Sequence, residues 1–297
     1  HQDHVEAAVA DCEGLPANLR KRIVMLAEPV ARNTAPALAL AAARMELDGL
    51  ADQTVLVMAA DHLISPPEAF ASSVEAASRD AEAGYIVPYG IVPTFASTGY
   101  GYIEAGEKAG EGFEVSSFRE KPDAATAEQY IASGRHYWNA GLFTYRSSVF
   151  TAELAKHAPD VATVFTGPAE SWFDTSDAGG VAVHMPSAEL AGLYGGCPGI
   201  SVDYAVMERT SVIRMVAAAF DWNDVGSWDV IADLDAPPAA PVYSHEADGN
   251  FVYSDVPVAL CGVDNLIVVV ANGRVMVCRK GMSQLVKNAA EDDLAAK

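Results

Sequence analysis

The feature that most constrains this chain is an uncharged apolar run that leads into a carboxylate. Residues Val55 to Met58 have no charged neighbours, and the run continues into Asp61 and His62. A strand buried on both faces of a parallel sheet has this pattern. Strands of that kind end at the carboxyl edge of an open α/β sheet, where ligands bind. The run therefore predicts a buried parallel strand with Asp61 at a ligand-binding edge.

A second carboxylate of interest lies much later, in the segment FDWNDVGSW. Asp224 occupies an Asn-Asp-Val-Gly turn, and the flanking aromatic residues would anchor that turn. Each acid also has an ordinary interpretation, because Asp residues often form turns and Asp61 alone fits the cap of a strand end. Two acids that converge would suit a hard metal ion, which prefers oxygen ligands.

Length and composition favour a soluble enzyme over an adaptor, with enough residues for one large domain and a small appendage. The chain has 297 residues, 51% of them hydrophobic, which is enough for a sizeable core. Its formal charge of −21 argues against a nucleic-acid partner, because phosphate-backbone binding needs clustered Lys and Arg. A small phosphorylated substrate remains compatible if a divalent cation and a few bases neutralise it locally. Adaptation to salt is the alternative explanation for the charge.

Cysteine spacing and apolar run length bear on the cellular compartment. The four cysteines are scattered without a C-x-x-C pair, which argues against a zinc knot or a disulfide framework and favours the cytoplasm. The longest apolar runs, such as Leu266 to Ala271, are far shorter than the roughly 20 residues that span a bilayer, so no membrane partner is expected. The sequence leaves oligomerisation open, including a homo-oligomer.

Helical and extended patterns alternate through most of the chain. Residues 1 to 19 predict one amphipathic helix, and Asn33 and Thr34 are placed to cap a later helix that has Pro36 in its first turn. This alternation implies parallel strands joined by crossover helices, although residues 99 to 120 predict a hairpin.

A Pro-rich segment at 235 to 241 is the clearest linker. Four short strand patterns follow it, with a closing helix from Met282. The chain is therefore divided into a core at residues 1–236 and a β-rich appendage at residues 237–297.

Seven segments, taken in order, closely resemble the mannose-1-phosphate guanylyltransferases among the sugar-nucleotide pyrophosphorylases. They are EPVARNTAPALALAA, VLVMAADHLI, PTFASTGYGYIEAG, FREKPD, WNAGLF, ISVDYAVMER and FDWNDVGSW. The resemblance covers about Glu28 to Trp228, with weaker agreement beyond. It implies an α/β fold with a Rossmann-like (GT-A-like) nucleotidyltransferase core and a mixed sheet, followed by a small C-terminal β-rich segment.

The resemblance also assigns roles to individual residues. It implies that the guanine and ribose side is lined by Glu28, Arg32, Asn33 and Thr34. It implies that the sugar side is lined by Gly101, Glu120, Asn139 and Asp203. Lys121 would take the sugar phosphate, and Asp61 and Asp224 would hold one Mg²⁺, so that the catalytic set is Lys121, Asp61 and Asp224.

Taken singly, these segments have ordinary structural interpretations. Glu28 could be a solvated residue before a capped helix, and Glu120-Lys121 could be a charged turn. Asn139 would then mark a bend in a strand, and Asp203 would be a helix N-cap. The agreement of all seven segments favours the functional interpretation over these.

The implied reaction needs alignment and charge neutralisation more than covalent chemistry. An oxygen of mannose 1-phosphate would attack the α-phosphorus of GTP in line, and pyrophosphate would leave, giving GDP-mannose. The partners implied are GTP and mannose 1-phosphate, with Mg²⁺ as cofactor.

The sequence departs from the family near its start. The family has a glycine-rich loop with Arg and a Pro-Lys pair, which cradles the triphosphate, and no such segment precedes Glu28. We therefore expect the chain to begin in mid-domain and to show little or no GDP-mannose synthesis by itself. The alternative is a noncatalytic sugar-nucleotide-binding homologue or regulatory subunit that lacks the triphosphate loop.

Overall fold

The computed structural model describes residues 1–167, 169–234, 237–283, 285–286 and 289. Positions 235 and 236 of the expected linker, and with them the expected domain boundary, lie outside the described residues. Most of the closing helix expected from Met282 lies outside them too. The chain divides into two compact units, of which the first comprises His1–Ala59 and Ser65–Asp221, and the second comprises Ala60–Ile64 and Trp222–Lys297.

The helices and strands are as follows. The α-helices are α1 (Val5–Cys12), α2 (Ala17–Arg20), α3 (Thr34–Leu47), α4 (Pro67–Glu82), α5 (Ala124–Ser133), α6 (Ser147–His157), α7 (Pro159–Ala162), α8 (Ala188–Gly195) and α9 (Trp228–Asp233), and a π-helix spans Asp203–Met207. The strands are β1 (Val24–Leu26), β2 (Thr54–Val57), β3 (Leu63–Ser65), β4 (Val87–Ile91), β5 (Tyr102–Ala109), β6 (Gly112–Arg119), β7 (His136–Arg146), β8 (Phe173–Ala178), β9 (Val181–Pro186), β10 (Arg214–Ala217), β11 (Asp221–Asn223), β12 (Val242–His245), β13 (Phe251–Ser254), β14 (Val258–Cys261), β15 (Leu266–Ala271) and β16 (Arg274–Arg279).

The first unit is built on a six-stranded mixed sheet with the order β2-β7-β4-β10-β6-β5, in which β7 also pairs with β5. Only β4 and β10 run parallel, and the other pairs are antiparallel. The mixed sheet is confirmed, whereas the parallel sheet inferred from alternation alone is wrong. The reason is that β5 and β6 form a hairpin and β7 pairs antiparallel with β5, β4 and β2, so in this sheet only the pairing of β4 with β10 needs a crossover connection.

The strand that delivers Asp61 also differs from the expectation of a buried parallel strand. β2 pairs antiparallel with β7, from Thr54 opposite Arg146 to Val57 opposite Phe143. Its residues are half-buried or exposed. A short apolar run cannot by itself distinguish a central parallel strand from an antiparallel one, which explains the error.

Local signals explain most of the helix boundaries. The side chain of Asn33 accepts a hydrogen bond from the backbone N–H of Thr34 and caps α3, as predicted. Asp123 caps α5 by accepting from the N–H of Thr126 at 2.8 Å. The single helix expected over residues 1 to 19 is instead a short 3₁₀ turn followed by α1 and α2, because Gly14 and Pro16 interrupt the pattern.

Helices cover the main sheet of the first unit and complete its core. The largest side chains that are fully buried in this core include Trp172, Tyr194, Phe150, Leu40 and Ile86. A separate three-stranded sheet pairs β1 in parallel with β9, which in turn pairs with β8. In the part of the chain that is described, no helix combines the length and the apolar character needed to cross a membrane.

The second unit consists mainly of short strands, as expected. β12 pairs in parallel with β14, and β13 with β15, in both cases with partners 16 positions apart, as for Val242 with Val258 and Phe251 with Ile267. This constant offset describes a coil that repeats every 16 residues. β16 then turns back antiparallel on β15. In addition, β3 pairs with β11, which links the two segments of this unit.

Candidate active site

Four of the residues assigned to the sugar side meet in the first unit. The backbone N–H of Asn139, on β7, donates to the carbonyl of Gly101 at 2.8 Å. The side-chain amide of Asn139 donates to Asp203 Oδ1 at 2.9 Å. Gly101 lies against Glu120, since a Cβ built on it would be 2.5 Å from Glu120 Oε2 and 3.2 Å from the Cβ of Asn139. The absence of a side chain at Gly101 therefore lets these groups face a common space.

The acids of this cluster lie in an environment that disfavours their charge. Burial raises the pKa of Glu120, and the nearby Asp203 raises it further. Burial likewise raises the pKa of Asp203, although the hydrogen bond from Asn139 opposes the shift. Carboxyl groups with raised pKa values in a cleft are frequent at functional sites, and a sugar hydroxyl can donate to either of them.

Lys121 follows Glu120 in a tight turn after β6. Its Nζ lies 3.2 Å from Glu120 Oε1, and its side chain is largely exposed. The backbone of Lys121 has a φ of 46°, which is uncommon for a residue with a side chain and requires support from its surroundings. The next residue, Pro122, is buried. The turn therefore presents an exposed cation beside a largely buried carboxylate.

The residues assigned to the base side lie in the loop between β1 and α3 and at the first residue of that helix. Glu28 Oε1 accepts a hydrogen bond from the hydroxyl of Tyr194, a fully buried side chain at the end of α8. Burial raises the pKa of Tyr194, as does the hydrogen bond to Glu28, so the hydroxyl stays a donor at neutral pH. Arg32 donates from Nη2 to the carbonyl of Gly195, and its Nε is a buried donor without an acceptor among the described residues.

Asn33 and Thr34 support the loop rather than extend from it. Asn33 adopts a φ of 68° as the cap of α3. The hydroxyl oxygen of Thr34 accepts a hydrogen bond from the backbone N–H of Val202 at 2.8 Å. The backbone N–H of Ala35 also donates to the carbonyl of Ile200 at 3.1 Å. The start of α3 is thereby joined to the segment 200 to 203.

That segment connects the two sides of the candidate site. Val202 bonds to Thr34 on the base side, and the adjacent Asp203 accepts from Asn139 on the sugar side. The connection is continuous through two neighbouring residues of one chain segment. The structure thus brings both predicted halves to one segment, residues 200 to 203, which leads into the π-helix of the first unit.

Asp61 and Asp224 belong to the second unit, where two side chains close to them in the sequence, those of His62 and Trp222, contact each other. Trp222 Nε1 donates to His62 Nδ1 at 3.1 Å, and the two rings meet edge to face at 5.3 Å between centroids. Asp61 is exposed, whereas Asp224 is half-buried and accepts from the N–H of Gly226 at 3.2 Å. Among the described residues no group of three or more His, Cys, Asp or Glu could hold a metal ion. A metal here would therefore take at most two carboxylates from these residues.

Sequence reasoning missed Glu208 and Tyr194, and the structure does not support the alternative interpretation of Asp203 as a helix N-cap. The N-cap of the π-helix is Val202, and the side chain of Ser201 accepts from the N–H of Tyr204 at 3.3 Å, so Asp203 is not an N-cap. Glu208 accepts from the backbone N–H of Glu120 at 2.8 Å. The spacing of Glu208 from Asp203 gave no signal, because five residues in an α-helix are about 140° apart around the axis.

Comparison with known proteins adds two family matches. A family model described as nucleotidyl transferase matches residues 14–237. A second, described as MannoseP isomerase/GMP-like beta-helix domain, matches residues 243–291, which contain the strands of the 16-residue coil except for Val242, the first residue of β12.

Curated relatives and a solved structure are similar over most of the chain. Proteins named mannose-1-phosphate guanylyltransferase from Escherichia coli K12 and Klebsiella pneumoniae are 40% and 37% identical to it, each over 90% of this chain. The chain spans only 57% of the length of either relative. The crystal structure titled mannose-1-phosphate geranyltransferase, from Thermus thermophilus, superposes with a TM-score of 0.74 at 28% identity, covering 90% of this chain and 77% of that one.

Proposed function

Because this chain belongs to the nucleotidyl transferase family, we propose that it transfers GMP from GTP to mannose 1-phosphate, giving GDP-mannose and pyrophosphate. The observation that carries the proposal is the shared segment of residues 200 to 203, in which Val202 supports the base side and Asp203 the sugar side. A site that joins a nucleoside to a sugar through phosphates needs its two specificity pockets at a fixed separation. The names of the relatives support the choice of guanine and mannose.

On the sugar side, the proposal gives each polar group a distinct partner. Glu120 and Asp203 accept from hydroxyls of the mannose ring, and Asn139 adds a hydrogen bond through its amide. Gly101 lets the ring approach the backbone closely. Lys121 neutralises the sugar phosphate, a role that suits an exposed side chain with three donors.

On the base side, Glu28 is suited to guanine. A carboxylate accepts two hydrogen bonds at once, and guanine presents a ring N–H beside an amino group on one edge. Tyr194 fixes the orientation of that carboxylate. The unsatisfied Nε of Arg32 provides a donor for an acceptor on the nucleotide.

Asp61 and Asp224 would hold Mg²⁺. The donor set fits this ion, because Mg²⁺ is usually bound by one or two carboxylates together with phosphates and water. The contact between His62 and Trp222 supports convergence of the two acids. When bound, the ion would neutralise charge on phosphate oxygens. We expect carboxylates less than about 10 Å apart, since ligand distances to Mg²⁺ are about 2.1 Å.

The chemical step then rests on alignment. The phosphate oxygen of mannose 1-phosphate attacks the α-phosphorus of GTP, and the bond to the leaving pyrophosphate breaks in line with it. Fixed binding of the sugar and the base keeps the attacking oxygen near the phosphorus, and this alignment supplies much of the rate enhancement. Lys121 holds the attacking phosphate.

We assign the reaction to the cytoplasm. Cys12, Cys197, Cys261 and Cys278 are free thiols. A reducing compartment maintains cysteines in that state.

Binding specificity tests the proposal directly. By isothermal titration in the presence of Mg²⁺, the chain should bind GDP-mannose more tightly than ADP-mannose or GDP, and replacement of Glu28 by Gln should reduce the preference for guanine by about tenfold. Replacement of the exposed Glu128 by Gln makes the same change of charge on the surface of α5 and serves as the control. Equal affinity for GDP-mannose and ADP-mannose would contradict the assignment of the base.

Transfer itself is measured as pyrophosphate release from GTP and mannose 1-phosphate. The assay uses this chain and a version joined to the N-terminal segment of a relative. Release that depends on mannose 1-phosphate supports the transferase. Specific binding without release in both versions would instead support the noncatalytic alternative.

A further inference from the structure

Glu208 makes a contact that none of the proposed substrate roles explains. Its Oε1 accepts the backbone N–H of Glu120 at 2.8 Å, although the two residues are 88 positions apart. Glu120 directly follows the last residue of β6, where the ladder of β5 and β6 ends at the pair of Tyr102 and Arg119. A carboxylate that accepts from a backbone N–H forms one of the stronger hydrogen bonds in proteins. Glu208 therefore fixes the backbone at the point where β6 becomes the Glu120–Lys121 turn.

The π-helix is what brings Glu208 to this position. The backbone N–H of Glu208 donates to the carbonyl of Asp203 at 2.9 Å, a bond between residues five apart. This bond closes one π-turn, so Asp203 and Glu208 lie one above the other on the same side of the helix. In an α-helix the same two residues would diverge by about 140°. The π-turn thus lets one helix present both acids to the site.

The other end of the helical segment is held independently. The hydroxyl of Thr210 donates to Glu153 Oε2 at 2.6 Å, and both residues are buried. Arg209 also donates from Nη1 to the carbonyl of His157 at 2.8 Å. These bonds attach the residues after Glu208 to α6 and its end. Glu208 is consequently a fixed point rather than a mobile side chain that happens to reach Glu120.

The turn that Glu208 supports needs such a fixed point. Lys121 has a φ of 46°, a conformation that is maintained only where surrounding contacts enforce it. Burial of Pro122 restrains the turn from one side, and the bond to the N–H of Glu120 restrains it from the other. Loss of the hydrogen bond from the N–H of Glu120 to Glu208 would leave the side chains of Glu120 and Lys121 free to reorient together.

We propose that Glu208 is a positioning residue, which acts through the backbone of Glu120 to hold the Glu120–Lys121 turn in the conformation that binds the sugar phosphate. This inference rests on the proposed function, because it assumes that the turn binds the sugar phosphate. Glu208 itself does not touch the substrate. Its contribution is therefore specific to the sugar phosphate and does not extend to the nucleotide.

Two substitutions of similar size separate this role from a general effect on folding. Glu208→Gln keeps an oxygen that accepts from the N–H of Glu120, whereas Glu208→Met has nearly the same shape and no such acceptor. We expect Glu208→Met to weaken binding of mannose 1-phosphate by about 10-fold to 100-fold and to leave the affinity for GTP unchanged. Glu208→Gln should stay within about threefold of the unsubstituted chain, because the hydrogen bond is retained. Exposed Glu128→Met is the matched control.

Amide hydrogen exchange at Glu120 supplies a readout that needs no ligand. The backbone N–H of Glu120 should exchange slowly in the unsubstituted chain and in Glu208→Gln, and at least tenfold faster in Glu208→Met. Slow exchange in Glu208→Met, or equal loss of mannose 1-phosphate and GTP affinity, would overturn the inference. If the unsubstituted chain binds no mannose 1-phosphate while the exchange pattern follows this expectation, the substrate assignment fails instead.

Discussion

Replacement of Gly101 by Ala tests the sugar side with the smallest possible change. The added Cβ would lie 2.5 Å from Glu120 Oε2 and 3.2 Å from the Cβ of Asn139. Ordinary contact begins at 3.4 Å, so the carboxylate of Glu120 must withdraw by roughly 1 Å, and a displacement of that size can cost about 100-fold where geometry is critical. The atom that must move is the far end of a flexible side chain. The fold should therefore lose only about 1 kcal/mol of its free energy of unfolding.

The assay compares affinity with stability in the same variant. Isothermal titration should give a Kd for mannose 1-phosphate that is about 100-fold higher in Gly101→Ala, and urea unfolding should remain a single transition. Gly14→Ala is the control, because nothing lies within 4 Å of the added Cβ and Gly14 is exposed. Unchanged affinity in a folded Gly101→Ala protein would refute the assignment of Glu120 to the sugar.

Three further substitutions have defined outcomes. Burial raises the pKa of Asp203, so the contribution of this carboxyl group to stability is present at low pH and is lost as the pH rises. Asp203→Asn should therefore raise the free energy of unfolding by about 1 kcal/mol at pH 7 and by less near about pH 4. An equal gain at the two pH values would contradict this. Tyr194→Phe removes only the hydroxyl that donates to Glu28 and should weaken GTP binding by about tenfold in titrations, without affecting mannose 1-phosphate. Gly110→Ala would put a Cβ 1.9 Å from Asp80 Oδ1, which would displace this buried carboxylate from Arg214. The free energy of unfolding measured in urea should fall by roughly 3 kcal/mol. A fall of less than about 1 kcal/mol would show that Asp80 can move aside.

Elements that depend on local signals could be predicted from the sequence. The cap at Asn33 set the start of α3, and the two extended segments within residues 99 to 120 predicted the hairpin of β5 and β6. Strand direction could not be predicted in the same way, because it depends on the partner. β2 finds its partner β7 about 90 residues later, and nothing within Thr54–Val57 encodes that choice.

The residues of the candidate site likewise include some that the sequence predicted and one that it did not. The resemblance supplied Gly101, Glu120, Asn139 and Asp203, and the structure brings these residues together. Glu208 was missed because its position depends on the π-turn, whose wide spacing leaves no periodic mark in one sequence. The roles of all these residues stay predictions until binding is measured.

The shared segment of residues 200 to 203 has a consequence for how the two ligands influence each other. Val202 is almost fully buried and directly precedes the π-helix that begins at Asp203. A shift of this segment at the bond to Thr34 would therefore also move the carboxylate that accepts from Asn139. If the nucleotide and the sugar phosphate favour the same position of the segment, each increases the affinity for the other, and thermodynamic reciprocity requires the factor to be equal in both directions.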